Sequence, residues 1–256
     1  MYIFTRFVAL IAVISLFFAG AFSVSASHSW GNYHWGRTVS PFTLKLGDNV
    51  SLNWDARLAA ASTDWSVSEV LDTSVVTGTT TPRNCRARTG RVEVCNSKYG
   101  KNGWLGVASV WVSGSHIVQG TVKLNDTYFN TPKYNTLAWK QFVMCQEIGH
   151  TFGLNHQDED FTNPNLGTCM DYTNDPSTNQ QPNQHDYDQL SLIYSHLDSI
   201  NTVSSSISSS RAKDEVTDDP DSWGRVLKKD KDGKNSLHEK DLGRGKKVYT
   251  FVIWDR

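Results

Sequence analysis

Gln146-Glu147-Ile148-Gly149-His150-Thr151-Phe152-Gly153-Leu154-Asn155-His156 is the stretch on which the reading of this chain turns. It closes a run, residues 136–152, in which Leu137, Trp139, Phe142, Val143, Ile148 and Phe152 recur at helical spacing, and Gly153 is free to take the positive φ of a helix end. On that helix Gln146 and His150 are four residues apart, so they share a face and can converge on one metal ion. Glu147 lies one step round, where its carboxylate can reach a water on that metal. The sharp turn that Gly153 permits brings His156 back toward the same ion from outside the helix.

Outward from this stretch, residues 106–112 and 116–124 are rich in Val, Ile, Thr and Trp and are separated by Ser113-Gly114, a hairpin pattern. Residues 42–54 alternate around Gly47-Asp48-Asn49 and read as strand or hairpin, 55–66 as a helix with Leu58, Ala59, Ser62 and Trp65, and 74–76 as a further strand. Residues 125–133 form a polar connection, and 185–197 read as helix through Tyr187, Leu190, Ile193, Tyr194 and Leu197. Between the two later helices lies Cys169-Met170-Asp171-Tyr172.

The central stretch resembles the metzincin signature H-E-x-x-H-x-x-G-x-x-H at every specified position but the first, where Gln146 stands for histidine. Cys169-Met170-Asp171-Tyr172 is similar to the Met-turn of that clan, and the order of elements over residues 40–198 is similar to its matrixin-like members. The resemblance implies an α+β fold: a mixed twisted sheet, an active-site helix, a Met-turn and a C-terminal helix. It implies a zinc endopeptidase in which His150, His156 and position 146 hold Zn2+ and Glu147 is the general base. Astacin-like and serralysin-like enzymes carry a tyrosine two residues after the Met, which makes Tyr172 a candidate fifth ligand or oxyanion donor.

Gln146 is the departure that matters. It offers a neutral amide oxygen, a poorer zinc donor than imidazole and without a carboxylate's charge. Helpers within reach of the pattern are His34, in Tyr33-His34-Trp35, and the run Asp158-Glu159-Asp160. Cys145 is a strong donor only outside a disulfide, and its helical direction leads away from the face of Gln146 and His150.

The chain starts as a secretory signal does: Arg6, an apolar run over 7–18, then small residues with a cleavage site at Val24-Ser25-Ala26, or more weakly at Ala19-Gly20-Ala21. Residues 1–26 are therefore expected to be removed, leaving a secreted chain with no membrane segment. Residues 27–199 are expected to form the metallopeptidase domain, 200–222 a flexible Ser/Thr-rich and charged linker, and 223–256 a small β appendage. No propeptide separates the signal from this domain, so a matrixin-style cysteine switch has no room. Asp230, Asp232, Gly233 and Glu239 are spaced partly like an EF-hand loop, but Lys228 takes the first ligand position, which favours a plain hairpin turn.

A formal net charge of -1 excludes a field that would gather nucleic acid or anionic lipid. The expected partner is a protein or peptide substrate, with the chain a monomer. Four cysteines suit an oxidising compartment and allow three pairings, of which Cys85–Cys95 and Cys145–Cys169 are favoured. Asn49 and Asn125 head N-x-S/T sequons. Three functions compete on these grounds: a zinc endopeptidase, a catalytically silent module that keeps the cleft (favoured by Gln146), and an adhesion protein using its Trp-rich surface.

Overall fold

The β-branched and aromatic runs of this sequence pair into a single sheet. The computed structural model describes residues 27–204 and 216–256; the expected signal at 1–26 and the middle of the expected linker, 205–215, lie outside the described residues. The strands are β1 (His34–Trp35), β2 (Phe42–Asn49), β3 (Leu71–Thr77), β4 (Arg91–Ser97), β5 (Trp104–Ser113), β6 (His116–Asn125), β7 (Arg225–Lys229), β8 (Asn235–Gly243) and β9 (Lys246–Trp254). The helices are α1 (Leu52–Trp65), α2 (Asp126–Phe129), α3 (Leu137–His150) and α4 (Gln184–Ile193). The sheet runs β3-β2-β4-β6-β5-β9-β8-β7, with β1 beside the start of β6. β3, β2, β4 and β6 are mutually parallel, and from β5 onward every neighbour is antiparallel. The chain is thus α+β with a large mixed sheet.

Three local expectations are corrected. Residues 42–49 run straight through Gly47-Asp48-Asn49, because β3 on one side and β4 on the other pair with those residues and leave no room for a hairpin. β4 has no counterpart in the sequence reading because Arg91, Glu93 and Asn96 break its apolar pattern. Glu93 is nonetheless buried, accepting hydrogen bonds from Thr79 Oγ1 at 2.6 Å and Asn49 Nδ2 at 2.6 Å and pairing with Arg91. The helices differ too: Leu137 is exposed on α3, α4 ends at Ile193 so that Leu197 falls beyond it and is exposed, and α1 buries Trp54, Leu58, Ala61, Ser62 and Trp65 rather than Ala59.

The C-terminal strands form no separate appendage. β9 lies antiparallel along β5, from Trp104↔Trp254 to Ser113↔Lys246, so residues 246–254 are an inner strand of the main sheet. The reason is two-sided burial of β5. Ala108 and Val110 face the core shared with α1 and α3, while Val107 and Trp111 face a second core with Tyr99, Trp104, Val216, Trp223, Val248 and Val252. Val216, near the far end of the expected linker, and Trp223, at the start of the expected appendage, help close that second face. The Asp230–Lys234 reversal is a hairpin turn, in which the Asp230 amide donates to Lys234 O at 2.9 Å.

Both favoured disulfides form, Cys85–Cys95 and Cys145–Cys169. Asn49 and Asn125 are buried with their amide nitrogens engaged, Asn125 Nδ2 donating to Gly100 O at 3.0 Å and Trp104 O at 3.2 Å, so neither sequon is open in the folded chain. No helix among the described residues is long and apolar enough to cross a membrane.

Candidate metal centre

Helix α3 brings the key residues in on rigid backbone. Thr136 caps it by accepting from the Trp139 amide, and every residue from Gln141 to His150 is buried. Two indoles bind its last turns: Trp65 Nε1 donates to Cys145 O and Trp30 Nε1 to His150 O, each at 3.1 Å. Gly149 is needed for the Met170 segment to pack beneath the helix, since a Cβ there would lie 2.6 Å from Met170 Sδ. Gly153 has φ +105°, the left-handed conformation that turns the chain back so that Leu154 and His156 face the helix end.

The two expected imidazoles meet. His150 Nε2 lies 2.9 Å from His156 Nε2, the rings perpendicular at a centroid distance of 4.5 Å. Their other nitrogens decide what that contact is. His150 Nδ1 sits 2.8 Å from the Leu154 carbonyl, which can only accept, so Nδ1 carries the proton. His156 Nδ1 sits 2.6 Å from Glu159 Oε1, and the same logic holds for a carboxylate. In the neutral rings both Nε2 atoms therefore present lone pairs to each other. That arrangement repels unless a cation lies between or beside them, which is the donor chemistry a divalent metal needs. Burial, then the neighbouring ring, holds His150 well below the ordinary imidazole range; burial lowers His156 too, against the opposing pull of Glu159. Both shifts favour the neutral ring that metal ligation requires.

Gln146 and Glu147 are both fully buried. Gln146 Nε2 donates to Cys169 O at 2.8 Å, which fixes the amide and leaves Oε1 with no hydrogen-bond partner. Neither oxygen of Glu147 has a partner at hydrogen-bond geometry. Burial pushes its carboxyl well above the usual carboxylate range, offset only in part by the Ala108 backbone. Its side chain packs under Gly106 of β5, where a Cβ would come within 2.8 Å of Oε1. Unpartnered buried oxygens are costly, and these three fall on consecutive residues of the helix that carries His150, although Glu147 does not come within 4.8 Å of both imidazole donors in this fold. Tyr172 packs its ring 4.3 Å from His156, and its hydroxyl donates to Val252 O at 3.1 Å. Burial raises its pKa well above normal, with Glu159 and then Glu147 adding to the rise, so the phenol stays protonated near both carboxylates.

Of the helpers offered by the sequence, only Glu159 reaches the site. It orients His156 and is itself paired with Lys228 Nζ at 3.1 Å. Asp158 and Asp160 spend their carboxylates on local turns and on Lys231. His34 is not at this site; it bonds Asp198 in another cluster. Cys145 is in its disulfide. Sequence reading missed the residue that covers the site. Phe251 of β9 stacks flat on His150, centroids 4.2 Å apart at 11°, and it stands opposite Ala108 in the ladder. No local pattern announces this contact, which pairs residues about a hundred positions apart.

No protein-family model matches the chain, and no curated protein does. Among solved structures it is similar to high choriolytic enzyme 1, a hatching enzyme zinc-protease from Oryzias latipes (Medaka fish). The TM-score is 0.35 at 9% identity, covering 63% of this chain and 94% of that one. It is also similar to the GM1-bound form of the ECX AB5 holotoxin, with a TM-score of 0.33 at 13% identity, covering 64% of this chain and 80% of that one. With both TM-scores below 0.5, the functional reading rests on side-chain geometry and sequence.

Proposed function

We propose that the chain is a secreted, monomeric Zn2+-dependent endopeptidase of the metzincin type, acting on protein or peptide substrates, with its site covered by its own strand β9. The observation that carries this is the pair of Nε2 lone pairs of His150 and His156, 2.9 Å apart, on the same structural unit as the unpartnered carboxyl of Glu147. His150 and His156 are the imidazole ligands, and Gln146 Oε1 is the third donor, weaker because it is a neutral amide. A bound Zn2+ would supply the Lewis acidity that polarises a carbonyl and acidifies water. Glu147, its pKa raised by burial, takes the proton from the attacking water and returns it to the leaving amine. Tyr172 donates a hydrogen bond from its phenolic O–H to the oxygen that gains charge, once that O–H is released from Val252 O.

Substrate would enter by strand addition. A peptide pairing with β5 passes over Gly106, beneath which Glu147 lies, and β9 takes that path here. Turnover therefore requires β9 to leave β5, and the covered chain is a latent form. The test is hydrolysis of unfolded casein by the zinc-loaded chain and by Phe251→Ala, with Glu147→Gln as control. Hydrolysis that is faster in Phe251→Ala and absent in Glu147→Gln, with zinc retained, supports the proposal. Zinc content unchanged in His150→Ala/His156→Ala sinks it. A second reading, a silent metal-binding module, is favoured by the engaged amide of Gln146 and by the β9 cover; zinc bound with no hydrolysis in any of these variants selects it.

A further inference from the structure

A second set of imidazoles converges far along the chain from α3. His34 on β1 and His116 at the start of β6 are paired neighbours in the sheet, and His196 and Asp198 follow α4. Around Asp198 Oδ1 stand His116 Nε2 at 3.1 Å, His34 Nε2 at 3.2 Å and His196 Nε2 at 3.6 Å, while His196 Nε2 lies 3.3 Å from His34 Nε2. Metal bonds of about 2.0–2.1 Å in a tetrahedron put donor atoms roughly 3.3–3.4 Å apart, and these four separations bracket that edge, while His196 does not come within 4.8 Å of all three other donors. The rings meet edge to face, His34 against His116 at 72° and against His196 at 81°.

Protonation again narrows the reading. His34 Nδ1 is 2.8 Å from the Asn32 carbonyl and so carries the proton, leaving a lone pair on Nε2 that faces both a carboxylate oxygen and another imidazole nitrogen. The other oxygen of Asp198 accepts from the Arg37 amide at 3.0 Å, which orients the carboxylate and leaves Oδ1 as the convergent atom. Access is graded: the His34 and Asp198 side chains are about nine-tenths buried, and that of His196 is 54% exposed, on a surface cavity shared with His34 and Ser115. A third grouping, His28, His185 and Asp186, differs in that Asp186 is engaged in the α4 capping box and by Thr168.

We propose that His34, His116 and Asp198 form a second site for a divalent transition-metal ion of the Zn2+ class, structural rather than catalytic, with His196 beside it on the exposed side. Two imidazoles and one carboxylate supply three ligands, His196 stands 3.6 Å from Asp198 Oδ1 where it can swing in to close the shell, and the ion ties the N-terminal segment and the segment after α4 to the edge of β6. The full-length chain, freed of metal by chelation and titrated with Zn2+ by calorimetry and with Co2+ by visible absorption, tests this. Two equivalents are expected, with the Tm rising as each binds. His116→Ala/His196→Ala should lose one equivalent and its share of the Tm rise, while His150→Ala/His156→Ala keeps the equivalent that depends on His116 and His196. Retention of the wild-type stoichiometry in His116→Ala/His196→Ala overturns the proposal. If that double variant fails to fold, His196→Ala alone, altered at the exposed ligand, must weaken one equivalent; an unchanged isotherm overturns the proposal. A single wild-type equivalent that vanishes in the His116/His196 variants upholds this site and removes the one on α3.

Discussion

Glu159→Ala isolates the residue that aims His156. Glu159 Oε1 accepts from His156 Nδ1 at 2.6 Å, is also held by Lys228 Nζ at 3.1 Å, and its side chain is only 7% exposed. Without it, the His156 ring loses both the acceptor that fixes its tautomer and the anion that raises the basicity of Nε2. Removing such an outer partner typically weakens metal binding by about 10–100-fold, or roughly 1.4–2.8 kcal/mol. Stability of the metal-free chain should fall as well, by about 1–3 kcal/mol, because a buried Nδ1–H is left without an acceptor. Lys228, whose side chain is 41% exposed, can turn to solvent and adds little. Glu159→Gln keeps an acceptor oxygen but not the charge and should sit near the tenfold end. The assay is competition for Zn2+ against a chromophoric chelator at pH 7.5, in a His116→Ala/His196→Ala background so that one site is read. Wild-type affinity in Glu159→Ala would refute the assignment of His156 as a ligand held through Glu159.

Three further perturbations follow from the same geometry. Phe251→Ala removes a fully buried ring from against His150 and should cost about 3–4 kcal/mol in urea unfolding; an unchanged midpoint would mean that β9 does not pack there in solution. Gln146→His replaces an amide oxygen by imidazole one helical turn before His150 and should tighten zinc about tenfold or more in the competition assay, whereas no gain would place residue 146 off the ion. Glu239 carries the acid-sensitive contribution: burial opposes its charge, yet hydrogen bonds from Tyr249, Lys247 and Arg225 hold its pKa down at about 2. A depressed carboxylate stabilises fully above its unfolded value of 4.5 and loses that contribution as pH falls toward 2. Discounting for the solvent-exposed portions of its partners leaves about 1–2 kcal/mol, visible as a Tm decline between pH 5 and pH 2 that Glu239→Gln flattens.

Much of the site was legible because its spacings are local. A four-residue interval on a helix, a glycine at its end and a histidine three residues on place His150 and His156 together wherever the helix forms, and they meet. The Cys145–Cys169 pairing was legible on the same footing, as a tie between a helix and the turn beneath it. Glu159 was visible as an acidic residue near His156, but its choice over Asp158 and Asp160 depended on side-chain direction. β4 stayed hidden because its buried charge, Glu93, is tolerable only with Arg91, Thr79 and Asn49 gathered round it from other elements.

What the sequence determined by itself is the helix from Leu137 to His150, its glycine stop, the two facing imidazoles and the strands as separate runs. Only the tertiary structure decided that β9 joins β5 over the α3 site, and that His34 leaves that site for His116 and Asp198. The physical reason is range: helical spacing fixes neighbours within a turn or two. Strand partners and convergent side chains from distant segments are selected by which faces of the whole sheet must be buried, a condition that no single stretch of sequence contains.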